Sequence, residues 1–244
     1  MNIVLHGLNH FVCMEFKQRA IDQMLHKITL FDSIEDECEV DIVISFYLDK
    51  VPDELIYFCK KKSTPLLLIR PWSPEIPKPF FSQDFLNVTI TIRDLLIPSK
   101  PSKWGPLDVE NWLTSLESGE KLDGAYPSRF WVSLSDAIEA ILVLIENEDI
   151  FGEEIVLSGR RSWNPKEVIS ELEILWNRFV KIKSNEIGIT ELEIQEPLLL
   201  APSFVGEKPN LDRLHHLLKE INGHGWKPRT PMRVTLMKCL AEIE

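Results

Sequence analysis

Two stretches, "DIVISF" at 41–46 and "TPLLLI" at 64–69, are apolar at consecutive positions rather than at alternate ones. Successive strand residues point to opposite faces, so runs of this kind belong to strands buried on both sides, as in a parallel sheet sandwiched between helices. The segment joining them, "VPDELIYFCKKK", reads as a helix, with Pro52 at its first turn and lysines at its end. Upstream, residues 2–6 read as a strand, and "MEFKQRAIDQMLHK" as a helix with Phe16, Ala20 and Met24 on one stripe. "KITLFD" reads as a second strand, ending at Asp32. The order of elements is α/β, with right-handed parallel connections.

After residue 70 the texture changes. "RPWSPEIPKPFFSQDF" places four prolines in sixteen residues, which predicts a loop there. "NVTITIR" is again a strand, "IPSKPSKWGP" a loop, "LDVENWLTSLESGE" a helix with Val109, Leu113 and Leu116 on one side, and "SLSDAIEAILVLIENED" an apolar helix. "EEIVLSG" is a strand. In "NPKEVISELEILWNRF", Asn164, Pro165 and Glu167 stand where a capping box wants them, ahead of Val168, Leu172, Leu175 and Phe179 at helical spacing. Two amphipathic helices, "NLDRLHHLLKEI" and "TPMRVTLMKCLAEI", follow.

The 244 residues suit one large domain or one and a half small ones, and a 44% apolar content supports a sizeable core. With 38 acidic and 27 basic residues the net charge is −11, which argues against a nucleic-acid backbone as partner. The cysteines at 13, 38, 59 and 239 form no C-x-x-C pair and fit no zinc site, so no metal is expected, and free thiols suit a reducing, cytoplasmic setting. No apolar run is long enough to span a membrane, and no signal peptide is visible.

From about residue 104 the chain resembles the extended short-chain dehydrogenases/reductases, the NAD-dependent nucleotide-sugar epimerases and dehydratases. Four segments carry the resemblance: "GPLDVENWLTSLESGEKL", "SRFWVSLSDAIEAILVLIEN", "GEEIVLSGRRSWNPKEVISEL" and "NLDRLHHLLKEINGHGWKPRTPMRVTL". In the second, Arg129, Val132, Asp136, Glu139 and Ala140 fall in register with the family's R-D-F-V-x-V-x-D-V-A-x-A stretch, and Phe130 replaces its first acid. The first half also fits, less closely, with the family's third strand unit missing. The resemblance implies a Rossmann-like parallel sheet with a small, mostly helical C-terminal lobe. Residues 1–103 then form a shortened nucleotide-binding part, and 104–244 the remaining sheet elements plus a substrate-type lobe, in one continuous domain.

The resemblance also implies catalysis by a Ser or Thr and a Tyr-x-x-x-Lys helix after the fifth strand. Here "LLLIRPWSPEIPKPFF" follows that strand and holds no tyrosine, so the segment is read as deleted. Tyr57 and Lys61 have the spacing, twelve residues after Ser45, and would share one helical face. Two readings of this set stand: a relocated catalytic group, or a packed tyrosine and a solvated lysine. Relatives dimerise through two helices per subunit, one of them the Tyr-x-x-x-Lys helix, so the deletion predicts altered self-association.

Three glycines open the family's nucleotide turn. In "GLNHFVC" they correspond to Gly7, His10 and Cys13. The second glycine normally lets backbone approach the pyrophosphate, and the third lets helix and strand pack closely. His10 and Cys13 therefore predict a wider turn and a blocked phosphate site, although the helix N-terminus, Asn9 and His10 offer donors, and Asp32 stands where an acid would hold the ribose. NAD is the cofactor that the resemblance implies and this turn argues against.

Arg129 matches the arginine that grips the nucleotide-sugar diphosphate in the family, a role suited to a bidentate guanidinium. That role predicts that Arg129→Ala costs affinity but little stability. Arg160 and Arg161 follow a strand turn and read as solvated, adjacent His215 and His216 do not form a metal pair, and Trp226 reads as packing. Three functions remain open: a degenerate relative that binds a nucleotide sugar or assists a catalytic paralogue, an active NAD-dependent epimerase or reductase, and a ligand-free interaction subunit.

Overall fold

The computed structural model describes residues 1–23, 26–33, 38–73, 85–98, 103–122, 124–152, 154–183 and 207–243. Six strands, β1 (Asn2–His6), β2 (Lys27–Leu30), β3 (Ile42–Phe46), β4 (Leu66–Pro71), β5 (Asn87–Ile92) and β8 (Ile155–Leu157), form one parallel sheet in the order β2-β1-β3-β4-β5-β8. A second, two-stranded parallel sheet pairs β6 (Leu95–Leu96) with β7 (Val132–Ser133). The helices are α1 (Phe11–Asp22), α2 (Asp53–Lys62), α3 (Asp108–Ser118), α4 (Leu134–Leu144), α5 (Pro165–Lys183), α6 (Asp212–Asn222) and α7 (Met232–Ala241). The α/β class and the Rossmann-like sheet read from the sequence are what the chain adopts.

The unbroken apolar runs divide between the two faces as their pattern requires. Ile42, Ile44, Phe46, Leu67 and Ile69 join the core under α1, α4 and α6, while Val43, Tyr47, Leu66 and Leu68 join the core under α2. Leu66 to Ile69 are all fully buried, each contributing about 1.5–3 kcal/mol relative to exposure. The larger core draws on residues from Ile3 to Trp226, so early strands and late helices share it. A separate cluster, with Trp112, Val168, Leu172, Leu175, Met232 and Leu236, holds α3, α5 and α7 together.

The strand order reverses between β1 and β3, and β2 is an edge, with no further strand beyond it among the described residues. This is where the sheet lacks the third strand unit. The expected strand to Asp32 stops at Leu30, because Phe31–Ser33 turn as a 3₁₀ segment. Met24, most of the proline-rich stretch and the first half of "KPSKWGP" lie outside the described residues. The α5 cap forms as expected: Lys166 N–H donates to Asn164 Oδ1 (3.0 Å) and Asn164 N–H to Glu167 Oε2 (3.1 Å). Ser133 caps α4 by accepting from Asp136 N–H, and the Asp136 carboxylate accepts from the backbone of Arg229 and Thr230 and the Thr230 hydroxyl, tying the C-terminal segment to the start of α4.

Candidate functional site

In doubly wound sheets, ligands bind outside the carboxyl ends of the strands where the order reverses. Here that place lies between the turn after β1 and the chain after β3. Gly7 has φ +98°, and a Cβ there would run into the Phe46 carbonyl oxygen, so glycine is required at this close approach. His10 is the N-cap of α1, but its side chain makes no cap hydrogen bond. Its ring instead lies 5.7 Å from that of Trp104, which also packs 6.0 Å from Phe46. Trp104 is only 2% exposed. A bulky indole therefore packs against the residue that replaces the second glycine. Cys13, in place of the third, is fully buried with Sγ 3.9 Å from the His6 carbonyl oxygen, and burial pushes its thiol up to about 12.

The electrostatics of the crevice follow from its side chains. His6 Nδ1 and Ser45 Oγ share a 2.9 Å hydrogen bond. Burial lowers the His6 pKa against the opposing pull of Asp32. Burial, then the neighbouring His6, lowers that of His10 against Asp49. The imidazoles are thus held toward their neutral forms beside two carboxylates, which disfavours a pyrophosphate. Asn9 and Asp32 are exposed at the rim.

The structure does not bring Ser45, Tyr57 and Lys61 together. Ser45 is fully buried in β3 with its hydroxyl on His6, whereas Tyr57 is 69% exposed on the outer face of α2, and Lys61 is exposed there too. The α2 face that carries Tyr57 looks to solvent, away from the core formed by Leu55, Phe58 and Cys59.

Arg129 also differs from the expectation of a cleft-facing guanidinium. Its Nε and Nη2 each donate to Asp108 at 2.9 Å, and its Nη1 lies 3.6 Å from Asp94 Oδ1. Burial alone would lower the Arg129 pKa; the bonds to Asp108 and the charge of Asp94 outweigh it and leave the group above its usual value. The Arg129 backbone pairs with Trp163 in an antiparallel bridge. Asp94 has φ +54°, an uncommon value for a non-glycine residue, and accepts from Phe130 N–H at 2.9 Å. Sequence reasoning missed Asp94, Asp108 and Trp104, since no motif marks them.

A different cleft carries positive charge. About 480 Å³ in volume, it lies between β7, the turn after β8 and the N-terminus of α7, and Arg160, Arg161, Lys227, Trp131, Trp163 and Thr230 are among its lining residues. Its lining contains three cations and no carboxylate, in a chain of net charge −11. The Arg161 guanidinium stacks 4.0 Å over the Trp163 ring and reaches Glu167 outside the cleft at 3.1 Å. Ser133, Thr230 and Thr235 add hydroxyls to the lining. Sequence reading passed Arg160 and Arg161 as a solvated turn; the signal that could have marked them is their adjacency to Trp163.

Among the described residues no cluster of His, Cys, Asp or Glu suits a metal, and no helix is long and apolar enough to cross a membrane. No family model matches the chain, and no curated protein matches it. Solved structures do. RMD from Pseudomonas aeruginosa, complexed with NADPH, aligns over 99% of this chain and 98% of its own at TM-score 0.63 and 15% identity. UDP-glucuronic acid 4-epimerase from Bacillus cereus, complexed with NAD, aligns over 100% and 96% at TM-score 0.63 and 11% identity. dTDP-glucose 4,6-dehydratase from Bacillus anthracis, also complexed with NAD, aligns over 99% and 96% at TM-score 0.60 and 14% identity. The chain therefore has the fold of the NAD-dependent epimerase and dehydratase structures.

Proposed function

We propose that this chain is an epimerase/dehydratase-fold protein that has given up hydride transfer and binds a nucleotide sugar, or a like diphosphate, in the cleft of Arg160, Arg161 and Lys227. The observation that carries the reading is the cleft's charge: three cations and no acid, beside two tryptophans, in a strongly acidic chain. Cations suit the diphosphate, an indole suits a base, and hydroxyls suit a sugar. UDP-glucuronic acid itself is bound by a structure of the same fold. Loss of redox chemistry is supported by what fills the switch point: Trp104 against His10, and Asp32 and Asp49 beside the imidazoles. An accessory role beside a catalytic paralogue fits the same features.

The test is thermal shift and calorimetry with UDP- and dTDP-sugars, together with absorbance assays for NAD(P)H turnover. Saturable stabilisation by a nucleotide sugar, weakened at least tenfold in the Arg161→Ala/Lys227→Ala variant and without turnover, is expected. Turnover would restore the enzyme reading. Absence of any ligand response would leave an interaction subunit.

A further inference from the structure

A second cleft of about 480 Å³ opens at the start of α6, on the other side of Arg160. Its polar lining comprises Arg160, Lys208, Asn210, Asp212 and His215, with Trp226 at its wall. We infer that it is a binding site for a phosphoryl group, separate from the cleft of Arg161 and Lys227 and not dependent on the nucleotide-sugar reading.

Its central donor is fixed by the fold. His215 Nδ1 accepts the Trp226 N–H at 3.1 Å, so the ring proton of the neutral imidazole sits on Nε2, leaving Nε2–H as the donor available to a ligand. The ring is also packed against Gly225, which has φ +71° and where any Cβ would collide with the imidazole. The Gly225–Trp226 turn thus fixes the ring's orientation by packing and its tautomer by the hydrogen bond. Arg160 and Lys208 are exposed; Arg160 makes a single 3.4 Å contact with the Trp226 carbonyl, and Lys208 has no ion pair among the described residues. One carboxylate, Asp212, lines the cleft, and it lies in the first turn of α6, where the helix end itself favours negative charge. At this end of α6 the Asp212 N–H already donates to Asn210 Oδ1 at 3.0 Å, so the donors left for a ligand are the side chains of Arg160, Lys208 and His215. A tetrahedral oxyanion, with acceptors in several directions, suits a cleft lined by donors from a turn, a loop and a helix face.

The group has two sources, inorganic phosphate or the phosphomonoester of a small metabolite, and titration of each separates them. The probes are inorganic phosphate and glycerol phosphate, with chloride at equal ionic strength as control, followed by calorimetry and by amide shifts in the intact chain. Saturable binding of at least one probe is expected, with shifts centred on Lys208 to His215. Lys208→Ala and His215→Asn should each weaken it at least tenfold; the asparagine can still accept from Trp226 N–H but lacks the outer donor. Arg161→Ala, which alters only the first cleft, should leave it unchanged, and thermal unfolding checks that each variant folds. No saturable binding, unchanged affinity in folded Lys208→Ala, or loss in Arg161→Ala instead would overturn the inference. The nucleotide-sugar reading is affected by none of these outcomes, since its own test uses Arg161 and Lys227, neither of which lines this cleft.

Discussion

Arg129 and Asp108 meet through two parallel hydrogen bonds, Nε and Nη2 each 2.9 Å from a carboxylate oxygen, with the Asp108 side chain almost wholly out of solvent. A guanidinium held this way anchors the start of α3 to the strand segment before β7. It is not a free fork waiting for a diphosphate.

The first expected outcome follows directly. Arg129→Ala would leave the buried Asp108 without its cation, while Asp94 keeps Arg93 Nε at 3.8 Å. Removing one partner of a buried pair costs about 3 kcal/mol or more, which for a chain of this size lowers Tm by roughly 6–12 °C. Nucleotide-sugar affinity of the folded fraction should change little. Scanning calorimetry checks the first statement and titration at low temperature the second; a stable variant with lost affinity would return Arg129 to the ligand.

NAD should bind weakly or not at all. Trp104 packs on His10 at the turn, so replacing His10 by glycine alone would not clear the crevice. Tryptophan fluorescence titration is the measurement, and sub-micromolar affinity or copurified NAD would contradict it. Trp104→Ala should cost about 3–5 kcal/mol, as for a large core aromatic.

Acid should destabilise the fold through His6 and His10. Both have pKa values lowered in the folded state, chiefly by burial. Unfolded chains then bind protons more readily, so stability is complete above the ordinary histidine pKa near 6.5 and declines as pH falls below it. Denaturant midpoints measured from pH 7.5 down to 5.5 should fall, and His6→Gln/His10→Gln should flatten the profile. An unaltered slope in that variant would assign the acid sensitivity elsewhere.

Thiol chemistry offers a simple check of packing. Cys13, Cys59 and Cys239 are buried, and each thiol is pushed up to about 12 by burial. Cys38 is half-exposed. A disulfide reagent at pH 8 should label one thiol per native chain and four after denaturation. More than one fast-reacting native thiol would mean a looser core.

The exposed face of α2 carries Tyr57 among Glu54, Lys60 and Lys61, so a helix bundle through this face lacks an apolar seam. Tyr57→Glu is expected to leave the mass in solution, read by light scattering, unchanged. It should also leave ligand binding unchanged. A shift from dimer to monomer would show that α2 is an interface after all.

The order of strands and helices was legible in the sequence because the responsible forces act between near neighbours. The double-sided burial of Leu66 to Ile69 is written in consecutive apolar residues, and the start of α5 in Asn164, Pro165 and Glu167. The replaced glycines at His10 and Cys13 were visible too. What they do was not, because Trp104 reaches His10 across more than ninety residues of chain, and Asp108 reaches Arg129 across twenty-one. The strength of an ion pair or a ring contact depends on distance and on exclusion of water, and neither is a property of spacing along the chain. The same holds for Arg160, Arg161 and Lys227: the two arginines are neighbours in the sequence, but only the packing of β7, the turn after β8 and the start of α7 brings Lys227 to them round one cleft.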